Sequence, residues 1–139
     1  MPRMLIGCCA ASLGLALWAS PAAADLFSST GPVIAMLAGE LFTGEAEGHL
    51  DGSGTLAIRS QRDSDLSCRG EFTSSAALGG VGKLHCSDGA SAIFKFQRLS
   101  LRSGYGTGDF ARGPMSFTYG LTSDESRPYL QLPVGFGPR

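Results

Sequence analysis

From residue 42 onward the chain alternates apolar and polar positions in short runs, each closed by a turn that carries glycine. The pattern is sharpest around two cysteines. With Cys68 placed opposite Cys86 in an antiparallel hairpin, Leu66, Cys68, Gly70 and Phe72 share a face with Gly82, Leu84 and Cys86. Ser67, Arg69, Glu71 and Thr73 then share the other face with Lys83, His85 and Ser87. A slip of one residue would turn every side chain to the wrong side. The same register sets Glu71 directly opposite Lys83, a favourable cross-strand pair, and leaves 74–79 as the loop.

The neighbouring turns follow the same logic. Ser87-Asp88-Gly89 predicts a three-residue loop, with glycine supplying the positive φ of its last position. Leu84 then faces Ala92 and Gly82 faces Phe94, with Ile93 the apolar exception on the polar face. Leu50-Asp51-Gly52 predicts a similar loop upstream. It groups Phe42, Ala46, Leu56 and Ile58 against Thr43, Glu45, Glu47 and Arg59. Downstream, a two-residue turn at Arg112-Gly113 sets Phe110 opposite Met115, Gly108 opposite Phe117 and Gly106 opposite Tyr119, with Pro114 at a strand start.

Three segments share one form: Gly52-Ser53-Gly54, Gly80-Val81-Gly82 and Gly106-Thr107-Gly108, each followed by a polar and then an apolar residue. Their second glycines lie 28 and 26 residues apart, the spacing of one supersecondary unit used several times. A phosphate-binding glycine loop needs a strand before it and a helix after it, and no helix is predicted after any of the three. Glycine opposite an aromatic, which lets the ring lie over the neighbouring strand, accounts for the motif instead.

Helix is scarce. Val33, Ile34, Leu37 and Leu41 form a helical stripe after Pro32, which predicts a short helix over 32–41. Thr122 and Glu125 fit a capping box, and Pro128 limits that helix to a turn or two. Tyr129, Leu130 and Leu132 are expected to anchor the tail on the sheet. The predicted fold is mainly β, an antiparallel meander of about six strands as open sheet or small barrel. It carries a short N-terminal helix, a short C-terminal helical turn and one disulfide. The organisation read from the chain is a signal peptide over 1–24, an N-terminal segment with the short helix over 25–41, a β domain over 42–133 and a tail over 134–139.

The signal peptide rests on Arg3, the apolar stretch from Met4 to Ala19, the break at Ser20-Pro21 and the small residues Ala22-Ala23-Ala24 before Asp25. The stretch is short for a membrane span. Cleavage near Ala24 places the mature chain in the periplasm or outside the cell. A lipoprotein anchored through Cys8 is disfavoured, because only seven residues precede that cysteine and the apolar run follows it. Cys8 and Cys9 leave with the signal, so Cys68 and Cys86 remain as one disulfide of an exported domain.

Charge changes the picture little. Residues 25–65 carry seven acids and two arginines, a net of −5, while 66–139 carry eight bases and five acids, a net of +3. No basic excess favours nucleic acid, and no long charge run implies a disordered arm. His85-Cys86-Ser87-Asp88 is a poor metal site, because strand neighbours point to opposite faces. No metal and no cofactor is expected.

Two resemblances add to this reading. Arg69-Gly70-Glu71-Phe72, Gly80-Val81-Gly82-Lys83-Leu84 and Asp88-Gly89 resemble a MORN repeat, a β-hairpin with a Gly-Glu pair, a Gly-x-Gly and a closing Asp-Gly. Phe42 to Leu56 echoes it. The chain as a whole is similar to a group of small exported bacterial proteins of unknown function. It shares their Phe-Thr-Gly-Glu start at Phe42, the Cys-x-Gly-Glu-Phe strand at Cys68 and Gly-x-Gly-x-Leu-x-Cys-x-Asp-Gly from Gly80. It also shares Ser-Gly-Tyr-Gly-x-Gly from Ser103 and the Phe-x-Tyr-Gly-Leu and Tyr-Leu-x-Leu-Pro close. That resemblance implies export and no particular activity.

The residues bear differently on three classes of function. For an enzyme, only His49 and His85 are imidazole bases, both on polar strand faces, and Ser103 and Ser116 lack a nucleophile context. The chain therefore reads as non-catalytic. For a binding module of the cell envelope, Lys83, Lys95, Arg98, Arg102 and Arg112 form a candidate basic face toward an envelope protein, lipid headgroup or cell-wall polymer. Ser103, Gly104, Tyr105, Gly106 and Thr107 form a candidate contact loop. Periplasmic lysozyme inhibitors are a related alternative: Cys86-Ser87-Asp88-Gly89 and Ser103-Gly104-Tyr105 resemble features of those small exported β-barrels. The third class is a structural envelope protein that assembles edge to edge through unpaired strands, with a hydrolase ranked below it.

Overall fold

The computed structural model describes residues 28–75 and 79–131. The signal peptide over 1–24, the Cys8 anchor, Leu132 and the tail over 134–139 lie outside the described residues. Eight strands run in chain order: β1 (Ser28–Leu37), β2 (Glu40–His49), β3 (Ser53–Ser60), β4 (Ser67–Ser75), β5 (Gly79–Cys86), β6 (Ser91–Arg98), β7 (Gly104–Phe110) and β8 (Gly113–Tyr119). Each pairs antiparallel with the next, and β1 also pairs with β8, so the meander closes into a barrel. The mainly β, disulfide-bonded fold read from the sequence is thus a closed barrel of eight strands rather than about six.

The N-terminal helix is corrected to a strand. Val33, Ala35 and Leu37 of β1 are buried in the core, and Met36 is buried on the other face. A short apolar run buried on both faces has the same spacing as a helical stripe, and periodicity alone cannot separate them. Pro32 sits inside this strand opposite Glu45. Ala38 and Gly39 both have positive φ, 51° and 83°, the backbone of a two-residue hairpin turn between β1 and β2.

Two hairpins have the predicted register: Cys68 faces Cys86 and Glu71 faces Lys83, while Leu84 faces Ala92 and Gly82 faces Phe94. The Cys68–Cys86 disulfide is present. The loop predicted over 74–79 is shorter, because β4 runs to Ser75 and β5 starts at Gly79. The last hairpin is shifted by two residues. Its turn is Ala111-Arg112, and Gly104, Gly106 and Gly108 face Tyr119, Phe117 and Met115. A two-residue slip keeps every side chain on its face, so the hydrophobic pattern could not detect it.

Small and large residues alternate around the barrel wall. One cross-strand row reads Gly54, Phe72, Gly82, Phe94, Gly108, Met115. The next reads Gly80, Phe96, Gly106, Phe117, Ala35, Phe42, Ser60. A Cβ at Gly82 would press into the Phe94 ring, and one at Gly106 into that of Phe117. The rings meet edge to face, Phe94 on Phe117 at 5.1 Å, Phe72 on Phe96 at 5.6 Å and Phe96 on Tyr119 at 5.7 Å. Such pairs add roughly 0.5–1.5 kcal/mol each beyond burial. The interior is a filled core.

After β8 the chain turns back over the outside. Helix α1 (Ser123–Ser126) begins with the predicted capping box of Thr122 and Glu125, and a 3-10 turn over Arg127–Tyr129 follows. Ser126 Oγ lies 2.6 Å from Thr118 Oγ1, and the Gln131 amide donates to Ser116 Oγ at 2.7 Å. Tyr129 stacks on Tyr105 with ring centres 4.4 Å apart. This clasp buries Ser116, Thr118 and Ser126, polar residues that would otherwise face water.

Candidate functional site

Glycine alternation packs the barrel with rings, so surface chemistry must come from the outward face and the two ends. Along β2 to β7 the outward positions carry charge. Glu47, Thr55, Glu71, Lys83, Ile93 and Asp109 form one cross-strand row. Glu45, Ala57, Arg69, His85 and Ser91 form the next. Transmembrane barrels show lipid an apolar outer band; these rows are the reverse. Among the described residues no helix is long and apolar enough to cross a membrane.

A broad, open depression lies across this face. Arg69, Glu71, Lys83 and Lys95 line it, together with Val81 and Ile93, which are 60% and 59% exposed. Glu71 and Lys83 face each other, yet the ion pairs among the described residues are Arg112 with Asp88 and Arg127 with Asp124. Among the described residues, the charged heads of the depression thus form no ion pair with one another.

The five cations of the predicted basic face separate. Lys83 and Lys95 stand in the depression. Arg98 is occupied at one barrel end, donating to the Ser75 carbonyl, the Leu101 carbonyl and Ser74 Oγ. Arg112 is occupied at the other end, 2.8 Å from Asp88 Oδ2 and 5.0 Å above the Phe110 ring, where it covers the core. The Asp88 carboxyl is held below its ordinary value by the Ala90 amide and by Arg112. Arg102 lies on the exposed loop between β6 and β7.

The predicted contact loop is also redistributed. Ser103 is buried and bonded to Ser100, while Gly104 to Thr107 belong to β7. Tyr105 points outward, donates to Gln97 Oε1 at 3.0 Å and stacks on Tyr129. Packing of the clasp accounts for this tyrosine. Glycines in this stretch form strand because Gly104 and Gly106 make room for Tyr119 and Phe117.

His49 and His85 are exposed on the outer face. The nearby Asp51 carboxylate is occupied by the Ser53 amide and hydroxyl, which hold its titration below the ordinary value. Among the described residues no three His, Cys, Asp or Glu side chains gather as metal ligands would. The sequence reading placed Arg69 on the face of Lys83 but left it out of the candidate basic face, and it did not place Val81. The signal was available in the register: odd residues of β4 and β5 share one face, and Ile93 had already stood out on it. No family model, curated protein or solved structure matches the chain.

Proposed function

We propose that this domain is an exported, non-catalytic binding module of the cell envelope, working through the outer face of β4 to β6. The observation that supports this reading is the group of unpaired charges, Arg69, Lys83 and Lys95 with Glu71, around exposed Val81 and Ile93. Two β-branched side chains in a charged frame suit a contact with an apolar centre and a polar rim. The filled core argues against a ligand held inside the barrel. Capture from envelope extract with the oxidised domain tests the reading. Lys83→Glu/Lys95→Glu is expected to lose the captured partner while the melting temperature stays unchanged. Equal capture by both proteins would reject this face.

A second reading is favoured by the closed, disulfide-bonded barrel, the architecture implied by the resemblance to periplasmic lysozyme inhibitors. Addition of the purified domain to a lysozyme assay decides it. Undiminished hydrolysis at a large molar excess would remove it.

A further inference from the structure

The two ends of the barrel differ in chemistry. One end holds the turns at 38–39, 61–66, 87–90 and 111–112, which carry Arg62, Asp63, Asp65, Asp88 and Arg112. The other end holds the turns after β2 and β6, where Leu50 is 80%, Leu99 47% and Leu101 86% exposed. Leu101 and Leu50 are the most exposed large hydrophobic residues among those described.

These leucines are presented on built turns. The Gly52 amide donates to the His49 carbonyl at 3.1 Å, and Asp51 Oδ1 accepts from the Ser53 amide at 2.9 Å. In the other loop the Leu99 amide donates to the Ser103 carbonyl at 2.9 Å, and Arg98 Nη1 donates to the Leu101 carbonyl at 3.2 Å. Ser100 and Ser103 hydroxyls meet at 2.6 Å. These contacts hold the backbone while the leucine side chains stand in water. Arg102, in the same loop, leaves its side chain exposed.

We propose that this leucine-tipped end docks on the surface of a phospholipid bilayer. Leu50 and Leu101 enter the boundary between headgroups and acyl chains, and Arg102 lies among anionic headgroups. Apolar tips beside a cation are the composition that interfacial binding uses. Chain entry favours a bilayer as the occupant. Strand β1 begins at this same end, with Ser28 opposite His49, and the apolar run from Met4 to Ala19 ends nine residues earlier. Until cleavage near Ala24, the apolar leader would tether the chain to the membrane on the side of this end. The inference deepens the envelope-binding reading and uses a different surface from the face of β4 to β6.

The test uses the protein recovered after export, its N-terminus read by mass spectrometry, and vesicles of phosphatidylethanolamine and phosphatidylglycerol. The protein is expected to co-sediment with the vesicles. Leu50→Ser/Leu101→Ser should weaken that binding roughly tenfold or more with an unchanged melting temperature. Leu101→Trp should show a blue-shifted emission on adding vesicles, and Ala111→Trp at the opposite end should not. Lys83→Glu/Lys95→Glu should retain vesicle binding, which separates this inference from the capture experiment. Protein that stays in the supernatant, a double-serine variant that sediments like the parent, or equal shifts of both tryptophans would overturn the proposal.

Discussion

At the scale of single residues, the glycines do packing work. Gly82 lies between Phe72 and Phe94 in its cross-strand row, and a Cβ there would also meet the Glu71 carbonyl. Gly82→Ala is expected to cost about 1–3 kcal/mol, as overpacking does, whereas a Cβ at Gly48 meets nothing within 4 Å and Gly48→Ala should be close to neutral. Urea denaturation of the two variants checks the contrast. The opposition of Gly82 and Phe94 was legible because the cysteine pair fixed its register. The partners of Gly106 and Gly108 were not, since a shift of two residues leaves both faces intact. Charge at this scale sets an acid dependence. Asp88 titrates below the ordinary 3.8 because the Ala90 amide and Arg112 favour its anion. Its contribution is present above the unfolded value and is lost as pH falls through the lower folded one. Asp88→Asn should therefore flatten the acid side of the stability profile, and an unchanged profile in thermal melts from pH 2 to 6 would contradict this.

At the scale of elements, the disulfide and the first strand behave differently. Cys68 and Cys86 are 18 residues apart and join β4 to β5 at the strand ends beside the turn at 87–90. The chain-entropy model assigns such a loop roughly 3 kcal/mol, so Cys68→Ala/Cys86→Ala should lower the unfolding free energy by about that amount while the β-sheet circular dichroism persists. This bridge was legible from the expected export and the alternation together. Strand β1 was not, because the partner that covers its second face lies far along the chain. The outward side of β8, next to β1, is buried by the C-terminal clasp, through Ser126 on Thr118 and Gln131 on Ser116. No local window contains both. The candidate surface divided in the same way: alternation placed Lys83 and Lys95 outward, but only the three-dimensional course of the turns revealed that Arg98 and Arg112 close opposite ends.

At the scale of the whole molecule, closure removes the assembly mode expected of an open meander. With Val33–Leu37 of β1 bonded to Met115–Tyr119 of β8, the meander closes and its two long open edges are gone. The domain should sediment as a monomer across concentrations. Deletion of 28–37 would expose β2 and β8, and that variant should form larger species in size-exclusion chromatography. A deletion variant that stays monomeric and folded would show that the seam is dispensable.

The seam between β1 and β8 also orders events in time. Val33 is made early, and its partner Tyr119 is made near the end. Until that late strand exists, the first strand has only one neighbour and the cylinder remains a curling ribbon. A chain threaded across a membrane from its N-terminus would emerge in that unfinished state, then zip shut once its last hairpin arrives. Long-range pairing of this kind places folding in the slow range of milliseconds to seconds. On the proposed export route, that interval would leave the secretion machinery a pliable chain and leave time for Cys68 to join Cys86 before the wall closes.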